Sequence, residues 1–228
     1  MDWKLEGDRF LWSGAEGIVG FTATRRFTVP AGTVQPDQLR RLVERLGIRP
    51  SAVVAMEQVH GGTVRVVESE DAVVPGCDGL ITDRPGVLLT MRSADCLPII
   101  AVDPGGCRVG LAHAGWRGVR AGLPSQLVRA VGSTDLRIGI GPGIGSCCYE
   151  VGPEFESWFP RYLQKSGRGR TLDLKQAAVA QLVEAGVAED RIAVAPWCTS
   201  CSVDHCVSYR RDGAVVPRMM TCAMIALQ

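Results

Sequence analysis

The sequence predicts an α/β protein: three layers, α/β/α, around a mixed β-sheet, in a single domain over 1–228. Three observations predict it. Short apolar runs bounded by Gly, Pro or Asp recur along the chain and read as buried strands. Amphipathic segments with helical periodicity fall between them. The two kinds interleave without strict βαβ regularity, so the sheet is expected to mix parallel and antiparallel pairs. In order, PDQLRRLVERLG (36–47) sets Leu39, Leu42 and Leu46 at helical spacing with charges between them. VVAMEQVHG (53–61) is an apolar run that ends at His60, and TVRVVES (63–69) alternates like a strand. GVLLTM (86–91), LPIIAVD (97–103), CRVGLAH (107–113) and LRIGIG (136–141) are the buried strands. RGVRAGLPSQLVRAV (117–131) is helical, with Pro124 expected to bend or interrupt it. TLDLKQAAVAQLVEAG (171–186) is a helix capped near Asp173 and stopped at Gly186. RIAVAPW (191–197) is a further strand.

Composition narrows the function. Hydrophobic residues make up 46% of 228 and charged residues 21%, which is ordinary for a globular chain. The balance of 25 basic against 24 acidic residues gives no general attraction to nucleic acid or to an anionic membrane, so any anion site must be local. The start, MDWKLEGDRFLW, has no apolar h-region, and runs such as LPIIAV are too short to span a bilayer. Nine cysteines, an odd number without an export signal, point to reduced thiols in the cytoplasm. Oligomeric state leaves no mark in the sequence.

The histidines number three: His60, His113 and His205. His60, Cys96 and His113 share a context, each a metal-capable side chain at the end of an apolar segment where the chain turns. In α/β sheets such ends line the crevice where ligands bind. Two imidazoles and a thiolate are a standard donor set for zinc, and three protein ligands leave a fourth tetrahedral place for water or substrate. The alternative is a small core cysteine and two satisfied turn histidines. A second cluster, PWCTSCSVDHC, places Cys198 and Cys201 with two residues between them, followed by His205 and Cys206, a spacing for compact zinc or a redox pair. Glycine-dense GIGPGIGSCCYEVG (139–152) lacks the spacing of a phosphate-loop motif, but around Gly143 its amides suit an anion cradle beside Arg117 and Arg210. Arg210 and Arg211 otherwise read as a solvated hairpin end. Trp116 suits stacking on a planar base or core packing. Asp78 and Asp95 suit orienting a ligand, acid/base work or turn capping.

The motifs QVHGGTV, CDGLIT, MRSADCLPI, GLAHAGWRGV, GIGPGIGSCCYEV and SYRRDG follow in this order over roughly 55–213. Together they resemble the laccase-domain family, also called multicopper polyphenol oxidase-like, which is read as a family of zinc-dependent purine nucleoside phosphorylases. The resemblance implies an α/β/α fold and makes His60, Cys96 and His113 the metal and catalytic residues. It implies zinc as cofactor. It also implies purine nucleosides and phosphate as partners: phosphorolysis of adenosine, inosine, guanosine and methylthioadenosine, and deamination of adenosine. Arg117, Arg210, Trp116, Asp78 and Gly143 are then the candidates for holding substrate and phosphate. A four-copper centre needs more imidazoles than three. A single-copper His2Cys site, with Met91 as a weak axial ligand, is the rival metal reading. A metal-free cysteine hydrolase, with Cys96 as nucleophile and His113 as base, is the rival mechanism. The chain also departs from the family pattern. FTATRRFTVPAG keeps Thr24 and Arg25 without the family's glycines, His205, Cys206 and Val207 replace aromatic residues, and Val216-Pro217-Arg218 stands where relatives have Thr-Gly-Arg.

Overall fold

The computed structural model describes residues 1–32, 34–68, 70–105, 107–133, 135–167 and 169–227. Its framework is two large stacked sheets. One runs, in spatial order, Trp3–Glu6, Arg9–Trp12, Ile18–Ala23, Arg218–Ile225, Val87–Ser93, Ala52–Met56 and Ala72–Val74, with Thr28–Val29 added on Arg218–Ile225. The other runs Ile192–Val194, Arg137–Ile140, Leu97–Asp103, Arg108–Ala114, Gly79–Thr82 and Val64–Val66. Both mix parallel and antiparallel pairs. The expected strand over 63–69 is therefore Val64–Val66, and its last residue, Ser69, lies outside the described residues.

Alternation along each strand decides which layer a side chain enters. In Leu97–Asp103, Leu97, Ile99 and Ala101 face the helices Leu123–Val131 and Leu174–Glu184, where they meet Leu127 and Leu182. Ile100 and Val102, with Leu111 of the neighbouring strand, face the other sheet, against Leu89 and Met91. On the far side of that sheet Leu88 and Phe21 pack on Leu39 and Val43 of the helix Pro36–Arg45. The α/β/α layering holds, with a β layer two sheets thick. The central strands are continuous apolar runs because each is covered on both faces. Full burial of one such Leu or Ile contributes about 1.5–3 kcal/mol.

The helices follow their local signals with two corrections. Pro36 opens the first helix at a position where its missing N–H costs nothing. Asp173 caps Leu174–Glu184 by accepting from the Gln176 amide at 3.0 Å. The segment over 117–131 is interrupted at Gly122 rather than at Pro124. Gly122 adopts φ +79° between Trp116–Arg120 and Leu123–Val131, whereas Pro124 sits harmlessly in the first turn of the second helix. SYRRDG is not a hairpin end. It is a one-turn helix, Tyr209–Asp212, capped by the Ser208 hydroxyl accepting from the Arg211 amide.

Four neighbouring strands of the six-stranded sheet deliver the site. Leu97–Asp103 pairs with Arg108–Ala114 so that Pro98 lies opposite His113, which puts Cys96 beside His113. Gly79–Thr82 pairs on the other side of Arg108–Ala114, with Gly79 opposite Ala112, so Asp78 reaches the same edge. Val64 pairs with Gly79, and the loop entering that strand carries His60.

Trp12 fills the space between the sheets over Gly139, where an added Cβ would lie 2.7 Å from the indole ring. Gly139→Ala is expected to lower stability by about 1–3 kcal/mol through overpacking, read as a lower urea midpoint at unchanged slope. An unchanged midpoint would show that the ring has room to move.

Candidate active site

His60, Cys96 and His113 converge. Their ligand atoms lie within 4.8 Å of one another, and the two imidazoles meet edge to face with ring centres 4.9 Å apart. His113 is buried, Cys96 half-buried and His60 exposed. The trio forms the floor of a cleft of about 490 Å³, within the size range of small-molecule sites.

Asp78 organises the floor. Its fully buried carboxylate accepts from His113 Nδ1 at 2.9 Å and from the amides of Val59, His60 and Gly61 at 3.2, 3.0 and 2.6 Å. His60 sits at φ +61°, a conformation that costs a non-glycine residue energy and that these amide bonds hold in place. Bonded through Nδ1, His113 turns Nε2 toward the cleft, the usual arrangement of a metal-ligating or catalytic imidazole. Burial would raise the Asp78 carboxyl, but the His113 hydrogen bond and the loop amides outweigh it and hold it below its ordinary value.

Cys96 and His113 shift each other. Desolvation alone would raise the thiol, yet the His113 charge and hydrogen bonds from both imidazoles bring Cys96 down to about 6. Desolvation alone would lower His113, and the Cys96 thiolate together with Asp78 raises it to about 9. The chain's own electrostatics therefore favour a thiolate beside an imidazolium. Gly115 makes room for the sulfur. A Cβ there would lie 2.8 Å from Cys96 Sγ and 3.4 Å from the His60 ring.

The other predicted residues divide. Arg117 and Arg210 line the cleft, and so do Trp116 and Asp95. Trp116 is held by packing, stacked on Trp158 at 5.1 Å and 7° with the Arg117 guanidinium 4.3 Å from its ring centre. Asp95, at φ +93°, accepts from Thr199 Oγ1 at 2.5 Å and from the Arg210 amide at 2.7 Å, so it anchors the wall that carries Arg210. Arg210 also donates to the Glu150 carbonyl at 2.7 Å. Gly143 lies behind the cleft and its neighbour Ile144 lines it. A Cβ on Gly143 would meet Leu97 at 2.4 Å, so close packing accounts for the glycine, which is not among the residues lining the cleft. Arg25 is turned away, donating to the Val203 carbonyl. Met91 is buried between the sheets, outside the cleft lining, and is no axial ligand.

Sequence reasoning missed Arg92, Arg218, Tyr149 and Gln58, all of which line the cleft. Arg92 shares the MRSADC motif with Cys96, Tyr149 lies in the glycine-rich motif, Arg218 ends the Val216-Pro217-Arg218 segment and Gln58 opens QVHGGTV, so each had a local signal. Gln58 pins the MRSADC motif, donating to the Arg92 carbonyl and accepting its amide at 2.7 and 2.9 Å. Burial and the nearby Arg218 charge both lower the Arg92 guanidinium. Burial pushes the Tyr149 phenol up, keeping it a hydrogen-bond donor, with Arg210 5.3 Å from its ring centre. Nor did the second cysteine cluster assemble as expected. His205 is absent from it, and Cys147 and Cys148 join Cys198 and Cys201 instead.

Two histidines and a cysteine that could hold a metal ion share a cleft with four arginines, on two stacked mixed sheets flanked by helices, and this defines the class: an α/β protein with a candidate metal site. The chain belongs to the family described as multi-copper polyphenol oxidoreductase laccase, whose model matches residues 33–226. It is 38% identical over 205 residues to the purine nucleoside phosphorylase YlmD of Geobacillus stearothermophilus, covering 79% of this chain and 75% of that one. It is 32% identical over 189 residues to the purine nucleoside phosphorylase YfiH of Escherichia coli, covering 78% and 77%. The crystal structure of YlmD from Geobacillus stearothermophilus superposes with a TM-score of 0.89 at 31% identity over 99% of both chains. Among the described residues no helix is long and apolar enough to cross a membrane.

The paired shifts have opposite consequences for stability. His113 ionises above its unfolded value of about 6.5, so its contribution is complete below that pH and fades as pH rises through about 9. Cys96 ionises below its unfolded value of about 8.5, so its contribution is complete above that pH and fades as pH falls through about 6. In chelator-treated protein, the rate of Cys96 alkylation by iodoacetamide, followed by peptide mapping, is expected to rise with a midpoint near 6. A midpoint near 8.5, the value of an isolated thiol, would show that the imidazolium does not reach the sulfur.

Proposed function

We propose that the chain is a zinc-dependent purine nucleoside phosphorylase that acts on adenosine, inosine, guanosine and methylthioadenosine and also deaminates adenosine. The observation that carries this reading is the convergence of His60, Cys96 and His113 on the floor of an arginine-walled cleft. The relatives' names supply the substrate class.

The donor set fits zinc: one thiol already lowered, one imidazole oriented by a buried carboxylate, and an open face toward the cleft. Zinc held by His60, Cys96 and His113 would supply a Lewis acid at the reacting end of the substrate. The remaining work belongs to the chain. Arg92, Arg117, Arg210 and Arg218 bring fixed positive charge to a dianionic phosphate. A phosphate oxygen forms the new bond to ribose C1′ as the bond from C1′ to the purine nitrogen breaks. The leaving purine takes up the electron pair and then a proton. Tyr149, its phenol kept protonated, is a proton-bearing group in the cleft. Trp116 offers an apolar wall to the base.

The Cys96–His113–Asp78 line also favours a second reading, a metal-free cysteine hydrolase in which His113 takes the thiol proton and Asp78 orients it. Exhaustive chelation separates the two. It abolishes turnover in the zinc reading, whereas a hydrolase keeps its activity and is trapped covalently at Cys96 by thiol reagents.

Cys96→Ala is expected to lose the zinc held by this trio and to slow hypoxanthine release from inosine with phosphate by ~10²-fold or more. Undiminished turnover in that variant overturns the proposal. Arg117→Ala is expected to raise KM for phosphate more than KM for inosine, in steady-state kinetics with each substrate varied. An equal rise in both would remove Arg117 from the phosphate site.

A further inference from the structure

Arg137–Ile140 and Ile192–Val194 are parallel neighbours, with Ile140 opposite Val194, so the loops that follow them leave the sheet side by side. Pairing continues past the strands in a bridge between Gly143 and Cys198, where the Thr199 amide donates to the Gly143 carbonyl at 3.1 Å. The first loop carries Cys147 and Cys148, and the second carries Cys198 and Cys201. Their four sulfurs lie within 4.8 Å of one another. Cys201 Sγ is 3.6 Å from Cys147 Sγ and 3.4 Å from Cys148 Sγ. A metal bonded to sulfur at about 2.3 Å in a tetrahedron sets its ligands about 3.8 Å apart, whereas a disulfide needs about 2.05 Å. All four thiols are free.

We infer that Cys147, Cys148, Cys198 and Cys201 form a tetrathiolate zinc site separate from the His60–Cys96–His113 centre. Four sulfur donors in a small tetrahedral set select a soft-tolerant divalent ion such as zinc, and a site with all four positions filled by protein is structural. Binding converts four thiols to thiolates and releases their protons. The assembled site carries a net charge of −2, and the surroundings answer it. The Gly145 amide donates to Cys198 Sγ at 3.2 Å. Lys175 lines the same recess as Cys147 and Cys198, its ammonium fixed on the carbonyls of Ala195 and Trp197 at 2.6 and 3.0 Å.

The location gives the ion a task. Ile144 and Tyr149, which flank the first cysteine pair, line the catalytic cleft. Thr199, next to Cys198, donates to Asp95, which in turn accepts the Arg210 amide. A zinc ion at the four sulfurs staples the two loops that carry this wall. The spacing of Cys198, Cys201 and His205 suggested another ligand set, but His205 is exposed and outside the cluster, and the vicinal cysteines of the glycine-rich loop replace it.

The test measures zinc content in full-length protein purified with reductant and without chelator, using Cys96→Ala as background. Cys96→Ala is expected to retain one zinc per chain, and Cys147→Ser/Cys201→Ser added to it to retain none. Cobalt reconstitution of Cys96→Ala is expected to give the intense sulfur-to-cobalt charge-transfer and visible bands of a tetrahedral thiolate site, lost in the triple variant. Because that variant is at risk of misfolding, zinc X-ray absorption on Cys96→Ala serves as an independent measurement, with an all-sulfur first shell at about 2.3 Å expected. A metal-free Cys96→Ala, a shell containing nitrogen or oxygen, or an intact mass showing disulfides in place of zinc would each overturn the inference. Failure of the catalytic zinc reading looks different: wild type and Cys96→Ala then hold equal zinc, and the all-sulfur shell remains.

Discussion

The site depends on one buried anion. Asp78 has no exposed surface, and a carboxylate in that position is costly unless its lone pairs are filled. Three consecutive amides of the 59–61 loop and one imidazole nitrogen fill them. The bonds that satisfy the charge thereby set where His60 and His113 stand. The loop accepts a left-handed histidine because its amides have nowhere better to point. The imidazole keeps one orientation because its Nδ1 is engaged by the carboxylate. A single carboxylate thus converts a free loop and a strand end into a fixed pair of nitrogens, with the sulfur brought alongside by the neighbouring strand.

The cleft above is built in the opposite sense. Arg92, Arg117, Arg210 and Arg218 share it with one carboxylate, Asp95, which is already engaged by Thr199 and the Arg210 amide. Clustered guanidinium groups repel one another, and Arg92 is additionally desolvated. Such an arrangement is relieved by an anion, so the fixed charge that these guanidinium groups hold together favours a negatively charged group in the cleft. The near-neutral net charge of +1 conceals this, because the excess is confined to one concavity.

Much of this was legible in the sequence, for identifiable reasons. Strand cores and the helices 36–47 and 171–186 follow from local periodicity and capping, which a short window contains. His60, Cys96 and His113 could be singled out because histidine is scarce and each follows or ends an apolar segment where the chain turns. What escaped depends on pairing between distant segments. The larger sheet is joined into one by Arg218–Ile225 inserting between Ile18–Ala23 and Val87–Ser93, and that insertion also delivers Arg218 to the cleft. The meeting of Cys147 and Cys148 with Cys198 and Cys201 rests on a parallel pair whose register no local signal encodes. Pro124 misled because its effect depends on its position in a helical turn, which Gly122 determines.

Gly115 has a consequence for reading related chains. The space that Cys96 Sγ and the His60 ring occupy is the space a side chain at 115 would take. A related chain that keeps both histidines and the cysteine but carries a bulkier residue at this position has to displace the sulfur or the ring, although every candidate ligand is still present. Position 115 therefore belongs beside the three reactive ones whenever the trio is traced in another sequence.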